Sequence, residues 1–143
     1  MIDGGTRRRR VLATPTGSAS EGEAMFKLFN RYDQTPGGVN VAATEVKQRL
    51  DRGDKITLLD VREPWEWDTA RIDGAKLIPM RELETRKAEL NPNDEIVVYC
   101  HMGVRSLKAI HYLQQHGFTN LKNLSGGIEA WSTTADPSVP HYR

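Results

Sequence analysis

Residues Glu95–Ser106 read EIVVYCHMGVRS. The segment EIVVYC is an apolar run of strand length without polar alternation, which is the pattern of a strand covered on both faces. The only cysteine of the chain, Cys100, stands at its end, and a glycine-containing turn follows directly. From Ser106 to His116, Leu107, Ile110 and Leu113 fall on one helical face, and Gly117 sits where a helix commonly stops. The order is strand, tight loop, helix. In open parallel sheets, ligands bind beyond the carboxyl ends of the strands, so Cys100 is expected at such an edge.

The same alternation extends in both directions. VNVA (39–42) is a short strand candidate, and 44–52 a helix carrying Val46 and Leu50, stopped by Gly53. ITLLDV (56–61) is a second doubly covered strand, and EPWEWDTA places a helical turn at Pro64. AKLIP (75–79) reads as a strand, 81–90 as a helix ended by NPND, and NLKNL (120–124) as the last strand. GGIEAW then opens a short helix. Strands alternating with helices imply an α/β domain: a mostly parallel sheet of about five strands with helices on both faces.

Residues 39–134 are assigned to this domain. Residues 1–38 differ in kind, being rich in Gly, Ser, Thr, Pro and Arg up to Glu23, and are expected to form a flexible extension. Met25, Leu28, Phe29 and Tyr32 suggest a short helix at 24–32, and the run Arg7–Arg10 reads as solvated. Residues 135–143, carrying DPSVPHYR, are expected to be a tail, and Trp65 and Trp67 to be packing residues.

Composition narrows the function. The 143 residues are 38% hydrophobic and 27% charged with a net charge of +1, an ordinary soluble balance. That balance offers no general attraction to nucleic acid or membrane. The apolar runs are far too short for a membrane span. One cysteine makes neither an internal disulfide nor a multi-cysteine zinc site, and no His, Cys and carboxylate set has metal spacing. No apolar secretory segment follows the arginines, so a cytoplasmic location with a reduced thiol is expected.

A lone cysteine is often a small buried hydrophobe. At a loop opening into a helix N-terminus its surroundings favour an anion, because unpaired amides and the helix dipole both point at it. Arg105 adds a full positive charge, and these three influences together favour a thiolate. Gly103 suits an anion-binding turn, since it takes positive φ freely. His101 reads two ways: as an imidazolium or base beside the thiol, or as a loop neighbour pointing elsewhere.

Taken together, four blocks resemble the rhodanese-like sulfurtransferases: DVREPWEW (60–67), RIDGAKLIP (71–79), YCHMGVRS (99–106) and NLSGGIEAW (123–131). The second block departs from the family's usual pattern, with Arg71 in place of a histidine and Asp73 in place of a proline. The loop is also not the CRxGVT type of two-domain thiosulfate enzymes. The resemblance implies the three-layer rhodanese-like fold and a sulfurtransferase activity without cofactor or metal. Cys100 and Arg105 would be catalytic, and His101, Met102, Gly103 and Val104 would form the substrate-binding loop. By resemblance Asp60 and Arg62 would support the site, but the preferred reading is structural, with Arg62 in an ion pair to Asp60 or a glutamate that holds the fold together. Cys100 would take sulfur from a donor such as thiosulfate or a protein persulfide, then pass it to a thiol, cyanide or sulfur-carrier protein. The ending DPSVPHYR is similar to that of rhodanese domains fused behind adenylating enzymes of sulfur-carrier activation, although this chain carries no adenylation motif.

Two alternatives remain open. Related phosphatases and arsenate reductases use C-x5-R loops around a tetrahedral oxyanion, whereas Cys100 to Arg105 is the shorter C-x4-R. A non-catalytic binding module would use the same fold with an inert loop.

Overall fold

Alternation along the two central strands divides the core. In strand β4 (Ile96–Tyr99), Ile96 and Val98 face one apolar cluster while Val97 and Tyr99 face another. Strand β2 (Thr57–Asp60) splits likewise, Leu59 to the first cluster and Leu58 to the second. A strand turns successive side chains to opposite faces, so a strand buried on both requires cover on both. The computed structural model describes residues 38–143, and the expected extension with its helix at 24–32 lies outside them.

The remaining elements supply that cover. In chain order they are β1 (Asn40–Val41), α1 (Ala43–Asp51), β2, α2 (Pro64–Thr69), β3 (Lys76–Leu77), α3 (Leu83–Arg86), β4, α4 (Arg105–Gln114), β5 (Leu121–Leu124) and α5 (Gly127–Ala130). The sheet order is β1-β5-β4-β2-β3, and every neighbouring pair is parallel. Leu83 and Leu90 close the first cluster with Ala109, Ile110 and Leu113 of α4. The second is closed by Ala43 and Val46 of α1, Ala70 and Ile72 after α2, and Ile128 and Trp131. This is the expected three-layer α/β arrangement of five parallel strands between helical layers.

Three local expectations are revised. Only two residues are assigned to each edge strand, yet pairing continues beyond β3, because Ile78 and Met80 donate to the carbonyls of Asp60 and Val61. The helix expected at 81–90 is instead a 3₁₀ turn at Met80–Glu82, one α turn, and a second 3₁₀ turn at Lys87–Glu89. Its anchors, Leu83 and Leu90, stand seven residues apart with no buried residue between, so little core contact favours a continuous α-helix there. On α4 the inward face is Ser106, Ala109, Ile110 and Leu113, with Leu107 half-buried.

The segment 135–143, expected as a tail, is packed. Val139 is buried in the second cluster and Tyr142 is half-buried against it. Trp65, expected as a packing residue, is 56% exposed and meets only Tyr142 edge-on among the aromatic rings of the described residues. The short helix α2 turns Glu66 and Ala70 inward, one turn apart, which leaves Trp65 on the outer face. Trp67 is half-buried, with the Arg71 guanidinium 5.0 Å from its ring centroid. Among the described residues no helix is long and apolar enough to cross a membrane.

Candidate functional site

Strands β4 and β2 end side by side. Asp60 pairs in register with Tyr99, and the Val61 amide donates to the Tyr99 carbonyl at 3.1 Å. The next residue on each strand is therefore at the same edge, Cys100 on one and Val61 on the other. Cys100 continues the face of Ile96 and Val98, toward α4. The loop 100–105 closes over it and leads into the first turn of α4.

The sulfur lies within the curve of that loop. Its Sγ accepts hydrogen bonds from the Gly103 amide at 3.1 Å and the Ser106 amide at 3.4 Å. The Ser106 hydroxyl lies 3.4 Å from Sγ and donates to Asn123 Oδ1. Asn123 in turn donates to the Gly103 carbonyl and to Asn40 Oδ1. Cys100 is 1% exposed, so the sulfur sits at the floor of the loop, not at its rim.

The amides point inward because the loop's first carbonyls are held outside. Ile128 and Glu129, at the start of α5, donate to the carbonyls of Cys100 and His101 at 2.9 and 3.0 Å. This close approach requires glycine. A Cβ on Gly127 would lie 2.3 Å from the His101 carbonyl oxygen. Gly103, at φ +100°, already approaches Gly126 closely and adopts a backbone conformation that other residues disfavour. The glycine pair in NLSGGIEAW thus shapes the cysteine loop from outside.

Arg105 is paired with an acid. Its two terminal nitrogens grip both oxygens of Glu66, at 2.8 and 2.9 Å, so its charge is matched by a carboxylate. Burial works to raise the Glu66 pKa, but the Arg105 fork, the Glu63 amide and the Tyr142 hydroxyl outweigh it and hold it at about 2. Glu66 also completes a capping box with Glu63 at the start of α2.

Asp60 and Arg62 form a fully buried pair. Arg62 Nε and Nη2 donate to the two Asp60 oxygens at 2.9 and 2.6 Å, and Nη2 also reaches the Ala70 carbonyl at 2.6 Å. Nη1 donates to the Tyr142 hydroxyl at 2.9 Å. That hydroxyl donates onward to Glu66 Oε1 at 2.7 Å. One chain of polar contacts therefore runs Asp60–Arg62–Tyr142–Glu66–Arg105.

The other loop residues face outward. Met102 and Val104 are 60% and 57% exposed and form an apolar rim. His101 turns toward Tyr142, and the rings stack at 4.1 Å between centroids with an interplanar angle of 18°. Its buried Nε2 makes no hydrogen bond and stands 3.5 Å from Glu129 Oε1. Glu129 also holds His141 Nδ1 at 2.8 Å. His101, Met102, Glu129, His141, Tyr142 and Arg143 line a hollow of about 510 Å³ outside the loop.

Sequence reading singled out the loop and the DVR block but passed over Ser106, Asn123, Tyr142 and the role of Glu66. Ser106 carried a legible signal, a small polar residue in the first turn beside the nucleophile candidate. Tyr142 carried none, since its contacts with Arg62 and Glu66 span 80 and 76 residues.

Comparison with known proteins agrees with this architecture. Residues 42–134 match the Rhodanese-like domain family. A probable adenylyltransferase/sulfurtransferase MoeZ of Mycobacterium tuberculosis is 38% identical over 111 residues, covering 76% of this chain but 28% of that protein. The chain thus spans little more than a quarter of that relative's length. A protein named sulfurtransferase from Allochromatium vinosum is 34% identical, over 69% of this chain and 92% of its own. The crystal structure of a rhodanese-like domain protein from Staphylococcus aureus superposes with a TM-score of 0.63 at 30% identity, covering 73% of this chain and 98% of that one. On the fold, the matched segment and these relatives, the chain belongs to the rhodanese-like family.

Proposed function

We propose that this chain is a sulfurtransferase that carries a sulfane sulfur on Cys100. The observation that supports this most is the Cys100 sulfur inside its loop, accepting from two inward-pointing amides. Amides aimed at one atom favour a negative charge there, whether it rests on a thiolate or on a persulfide. The Cys100 thiolate attacks the outer sulfur of a donor such as thiosulfate. A new S–S bond forms, the donor's S–S bond breaks, and sulfite leaves with the bonding electron pair. In the second step a nucleophile, cyanide or a thiolate, attacks the outer persulfide sulfur and the Cys100 thiolate is released. Neither step needs a general acid, because both leaving groups are stable anions.

Cys100 and Arg105 are the residues assigned to catalysis, with His101, Met102, Gly103 and Val104 forming the donor-binding loop. Asp60 and Arg62 support it by fixing the end of β2. Arg105 acts here as half of an ion pair that anchors the loop's far end, with its exposed edge available to an anionic donor. The acceptor is a thiol or a sulfur-carrier protein, and the setting is the cytoplasm, where a thiol stays reduced.

A thiosulfate:cyanide assay tests the reading. Thiocyanate release lost in Cys100→Ser supports it, together with a cyanide-removable adduct on Cys100 of about 32 Da, one sulfur atom. One observation favours a second reading. The 1% exposure of Cys100 beneath an apolar rim suits a non-catalytic docking module. Silence toward thiosulfate and toward aryl phosphate would select that module. Phosphate release would select the phosphatase reading, which the short loop disfavours.

A further inference from the structure

Tyr142 touches both ends of the cysteine loop. Its ring stacks on His101, the residue after Cys100, at 4.1 Å. Its hydroxyl donates at 2.7 Å to Glu66, the carboxylate that grips Arg105 at the loop's other end. The Trp65 ring meets Tyr142 edge-on at 5.9 Å. Two further contacts tie the same segment down: buried Val139 and the bond from His141 to Glu129. Cys100 is 1% exposed within the loop that Tyr142 holds at both ends, so a reagent reaches the sulfur only when the loop moves, and a bulky one needs a wider opening than a small one.

We infer that Tyr142 is a specificity-determining residue: it clasps the loop, and release of the segment 139–143 decides which partners reach Cys100. Small reagents enter past the clasp, while bulky ones wait for it to open. The hollow of about 510 Å³ beside the loop shares its wall with this segment, so opening widens the approach on that side. The clasp rests on the sulfur-transfer reading only for the identity of what it selects. Its existence is a matter of access to a thiol.

The experiment therefore uses alkylation without any sulfur donor. Rates of Cys100 modification by iodoacetamide and by fluorescein maleimide are measured under native conditions, and their ratio is compared among variants. Tyr142→Ala is expected to speed the maleimide reaction about tenfold, as loss of one or two net hydrogen bonds does to a local opening. The iodoacetamide rate should change by less than about twofold, since that reagent needs only a small opening of the loop that does not require Tyr142 to let go. Tyr142→Phe, which keeps the ring on His101, should fall between wild type and Tyr142→Ala. His141→Ala, an exposed change that loosens the segment at its other anchor, should move the ratio in the same direction. It carries the test if Tyr142→Ala fails to fold. A ratio unchanged from wild type in the folded variants overturns the proposal. If the ratio shifts and wild type releases no thiocyanate, the clasp stands and the sulfur-transfer reading fails. If thiocyanate forms and the ratio does not move, only the clasp fails.

Discussion

Arg62 and Arg105 are both held by a single carboxylate through a two-nitrogen fork, and the two pairs differ in almost everything else. The Arg62–Asp60 pair is 0% exposed on both sides, whereas Arg105 is 40% exposed against a 4% exposed Glu66. Arg62 spends its remaining donors on the Ala70 carbonyl and Tyr142, so no part of its charge is left for a ligand. Arg105 keeps an open edge at the mouth of the loop. The difference shows that one guanidinium is committed wholly to the fold while the other keeps an exposed edge, the edge proposed above to meet an anionic donor. Tyr142, hydrogen-bonded to Arg62 and to Glu66, is the joint between the two pairs.

The largest effect should come from breaking the sealed pair. Asp60→Ala strands a buried guanidinium and is expected to cost about 3–5 kcal/mol in urea unfolding. A loss under about 1 kcal/mol would mean that the two pairs are equivalent after all.

Acid unfolding sharpens the contrast next. The folded-state pKa of Glu66 is depressed to about 2 from the ordinary 4.5, so its stabilisation is fully present above 4.5 and is lost as pH falls toward 2. With its partner partly exposed, the effect should be about 2 kcal/mol. Arg105→Ala should flatten the stability profile across that window, and an unchanged profile would place the pair's contribution elsewhere.

At neutral pH, Arg105→Ala should cost about 1–2 kcal/mol in stability, because Glu66 keeps the Tyr142 hydroxyl and the Glu63 amide. It should harm use of a limiting anionic donor more than use of a saturating one. Equal loss at both donor concentrations would show that Arg105 contributes no donor binding.

The smallest effect is the most specific. Glu66→Gln preserves an acceptor for the Glu63 amide while removing the charge that masks Arg105. The KM for thiosulfate should fall by roughly twofold to fivefold, which corresponds to about 0.5–1 kcal/mol, and added salt should erase the gain. A KM that rises would indicate that Arg105 depends on Glu66 for its position more than the donor depends on its charge.

Much of the architecture was legible from residue order. The unbroken apolar runs around Leu58 and Val97 announced strands covered on both sides, and the periodic residues after Ser106 announced a helix. The loop was legible for the same reason: a strand end, a glycine and a helix start within one short segment leave few backbone paths. Trp65 was misread because a large aromatic residue usually packs, and nothing local revealed that α2 would turn Glu66 inward instead. The fragmentation after Met80 was missed because helical spacing was visible while the sparse core contact was not.

Residue order by itself determined the parallel α/β sandwich, the place of Cys100 at a strand end, and the six-residue span to Arg105, since steric and periodic constraints act over a few neighbouring residues. Only the tertiary structure decided that Arg105 would face Glu66, which of the anticipated acids would seal Arg62, and that Tyr142 would join them. Those contacts, apart from the local Asp60–Arg62 pair, connect residues 39 to 80 positions apart. A side chain that carries several hydrogen-bonding groups takes whichever partners the packed layers bring within reach, and no local pattern names them in advance.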